Sequence, residues 1–360
     1  MTKMCLYISL GFAEMMTMAR KERLNFITEI QKKTASHVIC YVTSTRNNLE
    51  VQMAMDSIRK IYDHLQEIKK PKSKTKISLF LHSNGGDGTV PWRLVTLIRE
   101  YAERFTVLVP HKAFSAATLT ALGADEIIMH PMGMLGPTDP TVMNPFNPAN
   151  AIGQPIGISV EDVSAYIALI KEDAGIQHED ELVQAFNKLA EKVHPLALGN
   201  VKRSISQSRM MAKKLLSLHM DAKKAGHQID EIVDNLTSKL FYHGHPINRK
   251  EAKSHLGLNA VVSPNKHLET LMWKLYLDYE NEMLIDEPFQ PAMEFSAQFP
   301  NLAAGATEIT PAVTAKLCFV ESVLRADVSI WQYVISGTKL PNGSIQVTPI
   351  TNRQGWIREP

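Results

Sequence analysis

Apolar residues along this chain change period several times, and each change marks an element. From about Ala13 to Thr34 the pattern is charged and helical, ending in the Lys32-Lys33 pair. His37 to Ser44 (HVICYVTS) is a β-branched, aromatic run of strand length. Val51, Met55, Ile58, Ile61, Leu65 and Ile68 then fall at three-and-four spacing, which predicts a helix. The basic stretch Lys69 to Lys76, with Pro71 inside it, reads as a solvated connector. Ile77 to His82 (ISLFLH) and Phe105 to Pro110 (FTVLVP) are continuous apolar runs suited to buried parallel strands. A glycine-rich turn, Ser83 to Gly88, and a helical stretch, Val90 to Arg104, lie between them. Ala113 to Ala124 is small and helix-competent, and Glu126 to Pro131 (EIIMHP) is a fourth strand. Strands alternating with helices in this way predict an α/β fold with right-handed crossovers and a mainly parallel sheet.

Beyond Pro131 the rhythm breaks. Five prolines between Pro137 and Pro155 make 131–157 a long loop, of a length that points to function. Helical periods return at Val160 to Lys171, Glu179 to Lys192, Leu196 to Met220, Ile229 to Leu240 and Asn248 to His255. Leu258 to Val262 is a short strand, Lys266 to Glu282 a helix, and the rest is extended, with Asn342-Gly343 marking a hairpin. The expected organisation is an N-terminal helical segment (1–35), an α/β domain (36–262), a helical extension (263–284) and an extended C-terminal tail (285–360).

Composition excludes several classes. Lys and Arg number 39 against 37 Asp and Glu, a net charge of +2, which provides no global attraction for nucleic acid. Cys5, Cys40 and Cys318 are too few and too scattered for a disulfide framework or a zinc cluster. A metal at His243 and His245 would need two further ligands, and none has the spacing. No metal and no cofactor is expected. The apolar stretch Met4 to Met18 is interrupted by Glu14 and is shorter than the ~20 residues a span requires, so a cytoplasmic chain without a favoured membrane contact is expected.

Two segments carry chemistry together. Leu81-His82-Ser83-Asn84-Gly85-Gly86-Asp87 sets a double glycine directly after a buried strand, where backbone N–H groups can turn to an anion. His111-Lys112-Ala113-Phe114-Ser115-Ala116-Ala117-Thr118 comes one βαβ unit later and places a serine at a strand-to-helix junction. Consecutive strand ends are where open α/β sheets bind ligands. With Ala121-Leu122-Gly123-Ala124-Asp125-Glu126, Leu135-Gly136-Pro137-Thr138-Asp139-Pro140 and Leu240 to Ile247, these segments resemble the ClpP/crotonase superfamily. Within it the chain is similar to the serine dehydrogenase proteinase branch, related to signal-peptide peptidase A, over roughly His37 to Val262.

That resemblance implies a ClpP/crotonase-like α/β domain acting as an ATP-independent serine peptidase on peptide or unfolded protein, assembled as a homo-oligomer. It implies Ser115 as nucleophile and the N–H groups of Gly86 and Ala116 as oxyanion donors. The histidine that ClpP places after its nucleophile corresponds here to Thr138-Asp139. A lysine base, as in the peptidase A branch, is the alternative; Lys202, beside the apolar stripe Leu198, Val201 and Ile205, is the preferred candidate, with Lys171, Lys188 and Lys192 behind it. A rival triad joins Ser115 to His130 and Asp139. Two other readings remain at this point: acyl-thioester chemistry of the crotonase kind on the same oxyanion hole, and a catalytically degenerate oligomeric scaffold.

Overall fold

In a computed structural model of the protein, the described residues are 12–138, 141–142, 145–150, 153–154, 156–238 and 245–359. A nine-stranded sheet runs through the molecule. Its strands are β1 (His37–Thr43), β2 (Lys76–His82), β3 (Arg104–Val109), β4 (Glu126–Met129), β5 (Val261–Val262), β6 (Thr307–Ile309), β7 (Val313–Glu321), β8 (Ala326–Lys339) and β9 (Ile345–Glu359). β1 to β5 lie side by side in chain order and pair in parallel. Their near-continuous apolar runs follow from this position, since helices cover both faces.

One face carries α2 (Asp56–Gln66), α3 (Val90–Tyr101) and α4 (Ala116–Leu122), which share a core with Ile39, Tyr41, Leu79 and Val107. The other face carries α1 (Phe12–Thr34) and α10 (Lys266–Met283), packed on Val38, Cys40, Phe80 and Leu108. The strand residues alternate between these two cores because successive side chains of a strand point to opposite faces. Between them in the chain come α5 (Val160–Ala168), α6 (Glu179–Lys192), α7 (Pro195–Leu216), α8 (Ala222–Ser238) and α9 (Arg249–Ser254); α11 (Pro291–Gln298) follows α10.

Two sequence expectations need revision. Residues 51–53 do not open a helix: α2 starts at Asp56, and Met53 instead bridges to Gly86 in parallel fashion. The apolar period had counted Val51 with a helix it only precedes. Residues 285–359 are extended only in part, since α11 interrupts them, and they do not trail away. β7 joins β1 antiparallel, β8 joins β7, and β9 joins β8 through the turn at Asn342-Gly343, so the parallel half and the antiparallel half form one sheet. Paired charges hold the junction: buried Arg23 of α1 reaches Glu321 of β7 (2.9 Å) and Asp278 of α10 (2.9 Å). Such a cluster ties three elements that are remote in sequence, because removing one partner leaves a buried charge uncompensated.

Candidate active site

The C-terminal ends of β2 and β3 carry two turns that touch. Past β2, Gly85 and Gly86 have φ of +100° and +152°, a region that side chains avoid. A Cβ on Gly85 would lie 2.8 Å from the Ser115 Cβ, and one on Gly86 would lie 2.4 Å from the Met53 carbonyl oxygen. Both positions therefore require glycine for space as well as conformation. Met53 clamps this turn, donating to the Gly85 carbonyl (2.7 Å) and accepting from the Asp87 N–H (2.9 Å).

Past β3, Lys112–Ala113 forms a short strand that bridges to Ser83, and Ser115 follows with φ 51° and ψ −113°. A non-glycine residue at positive φ is strained, and such strain persists only when the surroundings over-determine it. Here they do. The Phe114 N–H donates to the Ser83 carbonyl (3.0 Å) and the Ser83 N–H to the Lys112 carbonyl (2.9 Å). Buried Thr118 Oγ1 lies 2.7 Å from the Ala113 carbonyl and accepts from the Gly136 N–H at 3.0 Å. Ser115 sits at the N-cap of α4, yet its hydroxyl makes no capping bond. Among the described residues no hydrogen bond occupies that hydroxyl, nor the N–H of Gly86 or Ala116. A hydroxyl and two backbone donors thus converge on one place.

That place is a cleft of about 420 Å³ lined by Gly86, Ser115 and Ala116, with Gln52, Asn84, Asp87 and Leu119 on the sheet side. Thr138 and, from α7, Ser204, Gln207 and Ser208 line the other side. The Ser208 hydroxyl donates to the Thr138 carbonyl, fixing α7 to the loop after β4. Among the described residues the Thr138 hydroxyl is buried without a partner.

The structure brings Ser115, Gly86 and Ala116 together and leaves the basic candidates elsewhere. Lys202 is solvent-exposed and, at about 100° per residue, lies more than a third of a turn of α7 from Gln207 and about a third from Ser208. Lys171, Lys188 and Lys192 are also exposed, and Lys188 pairs with Glu191. The ring of His130 stacks flat on Trp273 of α10 (5.0 Å between centroids), on the far face of the sheet, so the structure does not join it to Ser115. Asp139, the third member of that rival triad, lies outside the described residues, as do His243 and Gly244. His245 pairs with Glu251 at 2.7 Å, and no group of three metal-ligating side chains occurs among the described residues. His111 contacts Tyr276 of α10 through Nδ1 (2.8 Å), on that same far face. Sequence reasoning gave Met53 and Thr118 no role. Only the tertiary contacts reveal that they hold the two turns.

Among the described residues no helix is long and apolar enough to cross a membrane. Two uncharacterised proteins of Methanocaldococcus jannaschii are similar to the chain. One is 26% identical over 265 residues, covering 72% of this chain and 79% of its own length; the other is 28% identical over 202 residues, covering 56% and 59%. Among solved structures, a membrane-bound stomatin-specific protease is similar in two variants, one of them in complex with a substrate peptide. They are 15% identical, with TM-scores of 0.36 and 0.33, covering 66% and 60% of this chain and 79% and 76% of theirs. At these scores the likeness bears on no residue. The family description of a ClpP-like SDH-type serine proteinase matches residues 2–283. With two strand-end turns presenting a serine and paired backbone donors, and with that match across most of its length, the chain belongs to the ClpP-like SDH-type serine proteinase family.

Proposed function

We propose that the protein is a serine endopeptidase, independent of ATP, that cleaves peptide bonds through an acyl-enzyme on Ser115. The Ser115 Oγ attacks the scissile carbonyl carbon and gives its proton to a base. The resulting oxyanion accepts from the N–H groups of Gly86 and Ala116, the amine leaves with the proton, and water then hydrolyses the ester. Losing one such donor typically costs about 3–4 kcal/mol of transition-state stabilisation. The observation that carries this reading is the strained Ser115 turn held directly against Gly85, with its hydroxyl and both donors uncommitted. A lysine dyad through Lys202 has a geometric condition: the side chain must come round to the cleft side of α7.

The test is labelling with a fluorophosphonate, which phosphonylates an activated serine, together with hydrolysis of a casein-derived peptide. Wild-type protein should label and cleave, and Ser115→Ala should do neither. Undiminished turnover in that variant refutes the assignment.

Self-association is part of the same proposal. α6 has no buried residue, and Val183 and Phe186 stand exposed on it, 53% and 47% accessible. An isolated helix of this length is marginal in water. This uncovered face is where a second copy would sit in the homo-oligomer, and light scattering at micromolar concentration should return a mass above that of one chain. A monomer with full activity would count against it.

A further inference from the structure

Behind the nucleophile turn, on the α10 side of the sheet, lies a group of rings that the reaction above does not use. His82, His111 and His130 stand at or just past the ends of β2, β3 and β4. His82 is fully buried, stacked on His111 (5.7 Å, 11°) and met edge-on by Tyr276 (5.0 Å). His111 also contacts Tyr276 and Trp273, the residue that carries His130.

His82 differs from its neighbours in having both ring nitrogens engaged by the elements of the site. The Lys112 N–H donates to Nδ1 (3.2 Å), so the ring proton sits on Nε2, which faces Thr45 Oγ1 at 3.1 Å. Lys112 opens the short strand that leads to Ser115, and Ser83, the next residue after His82, holds both turns. The Ser83 Oγ accepts from the Gly85 N–H (3.0 Å) and from Thr43 Oγ1 (2.8 Å), while its carbonyl accepts from Phe114.

Resting on the assignment of Ser115 as nucleophile, we propose that His82 is a positioning residue whose neutral ring, through Nδ1, keeps the Lys112–Ser115 turn in register with the glycine turn. A second proton on the ring would set N–H against the Lys112 N–H, donor against donor. The surroundings oppose that proton. Burial, then His111 and Lys112, hold His82 well below the usual imidazole range. Burial, then Lys112, push His111 down to about 4, with His130 adding to this and Asp286 opposing it. Tyr276, with Glu280 behind it, faces both rings from α10.

Two substitutions separate the two nitrogens. In His82→Asn the amide oxygen can stand near the place of Nδ1; in His82→Gln the amide reaches toward the place of Nε2. Both leave Ser115, Gly86 and Ala116 in place. Fluorophosphonate labelling, kcat and KM are measured at 25 °C, with melting temperature alongside. The expected result is a labelling rate and kcat within about threefold of wild type for His82→Asn. For His82→Gln both should fall about tenfold or more, with KM within twofold. Amide exchange of Lys112 and Phe114 should quicken about tenfold in the Gln variant and not in the Asn variant. Equal activity in the two variants, or losses that follow melting temperature, would overturn the proposal. If wild-type protein does not label at Ser115, the peptidase reading falls, and the exchange comparison still decides the role of His82.

Discussion

The two sides of the cleft are built differently. On the sheet side, Ser83, Ala113 and Ala116 are essentially without solvent contact, and every turn residue between Ser83 and Asp87 is held by a hydrogen bond or by a lack of space. On the other side, an arm of α5, α6 and α7, α6 buries nothing, Ile158 just before α5 shares only a small core with Ala197 and Val201 of α7, and Phe146, Leu169 and Leu196 are exposed. Under the proposed reading, the difference teaches which part of the reaction is preorganised. Donors aimed at a developing oxyanion must be in place before the charge forms, because moving them during the reaction costs the stabilisation they provide. A surface that receives a polypeptide of varied shape has no such requirement.

Substitutions can break this comparison, beginning where the effect is largest. Ser115→Ala should lower labelling and peptide turnover by about a thousandfold or more and leave the fold intact, as circular dichroism and melting would report. Next comes Gly86→Ala, whose new methyl group meets the Met53 backbone. A loss of about a hundredfold in labelling and a lower melting temperature are expected, and wild-type values for both would show that the glycine turn yields.

In the core beneath the sheet side, Leu94→Ala should cost about 2–5 kcal/mol in urea unfolding. On the arm, Phe186→Ser should stay within about 0.5 kcal/mol when measured on the monomeric form. Equal costs would erase the contrast between the two sides.

Acid sharpens it further. His82 and His111 titrate lower in the folded than in the unfolded protein, so their stabilisation is complete above about pH 6.5, the unfolded value. It is lost as pH falls from there toward about 4, because the unfolded chain then binds the extra protons. Unfolding free energy measured from pH 7.5 to 4.5 should decline over this window, and His111→Phe should reduce the decline. A flat profile in wild-type protein would contradict the buried neutral pair.

The smallest effect is expected at Lys202, where Lys202→Ala should keep activity within about twofold, since the side chain faces solvent. A loss matching Ser115→Ala would mean that α7 turns to bring this lysine to the serine.

Much of this was written in local patterns. The buried runs at His37–Thr43, Lys76–His82 and Arg104–Val109 announce parallel strands because a strand covered on both faces must be apolar at every position. Gly85-Gly86 and Ser115 are legible for a related reason: each sits directly after such a strand, where the chain must turn and backbone groups become free. The C-terminal hairpin is legible from Asn342-Gly343, because few residues accept the left-handed conformation of Gly343.

What local pattern does not contain is which distant segment covers which. That β7 to β9 continue the sheet beyond β1 depends on the free edge of β1 and on Arg23 meeting Glu321, 298 positions apart in the chain. Val51 and Met53 carry apolar side chains that suit a helix equally well, and only the approach of Gly86 draws Met53 into a bridge. Lys202 and Ser208 lie on one amphipathic helix, and its period does not say which flank turns toward the cleft. Sequence determined the strands, the turns and the serine, since those follow from each residue's own conformational and burial preferences. Tertiary structure decided the partners of His82 and His130 and the exposure of Lys202, because a side chain's chemistry depends on neighbours that folding alone brings near.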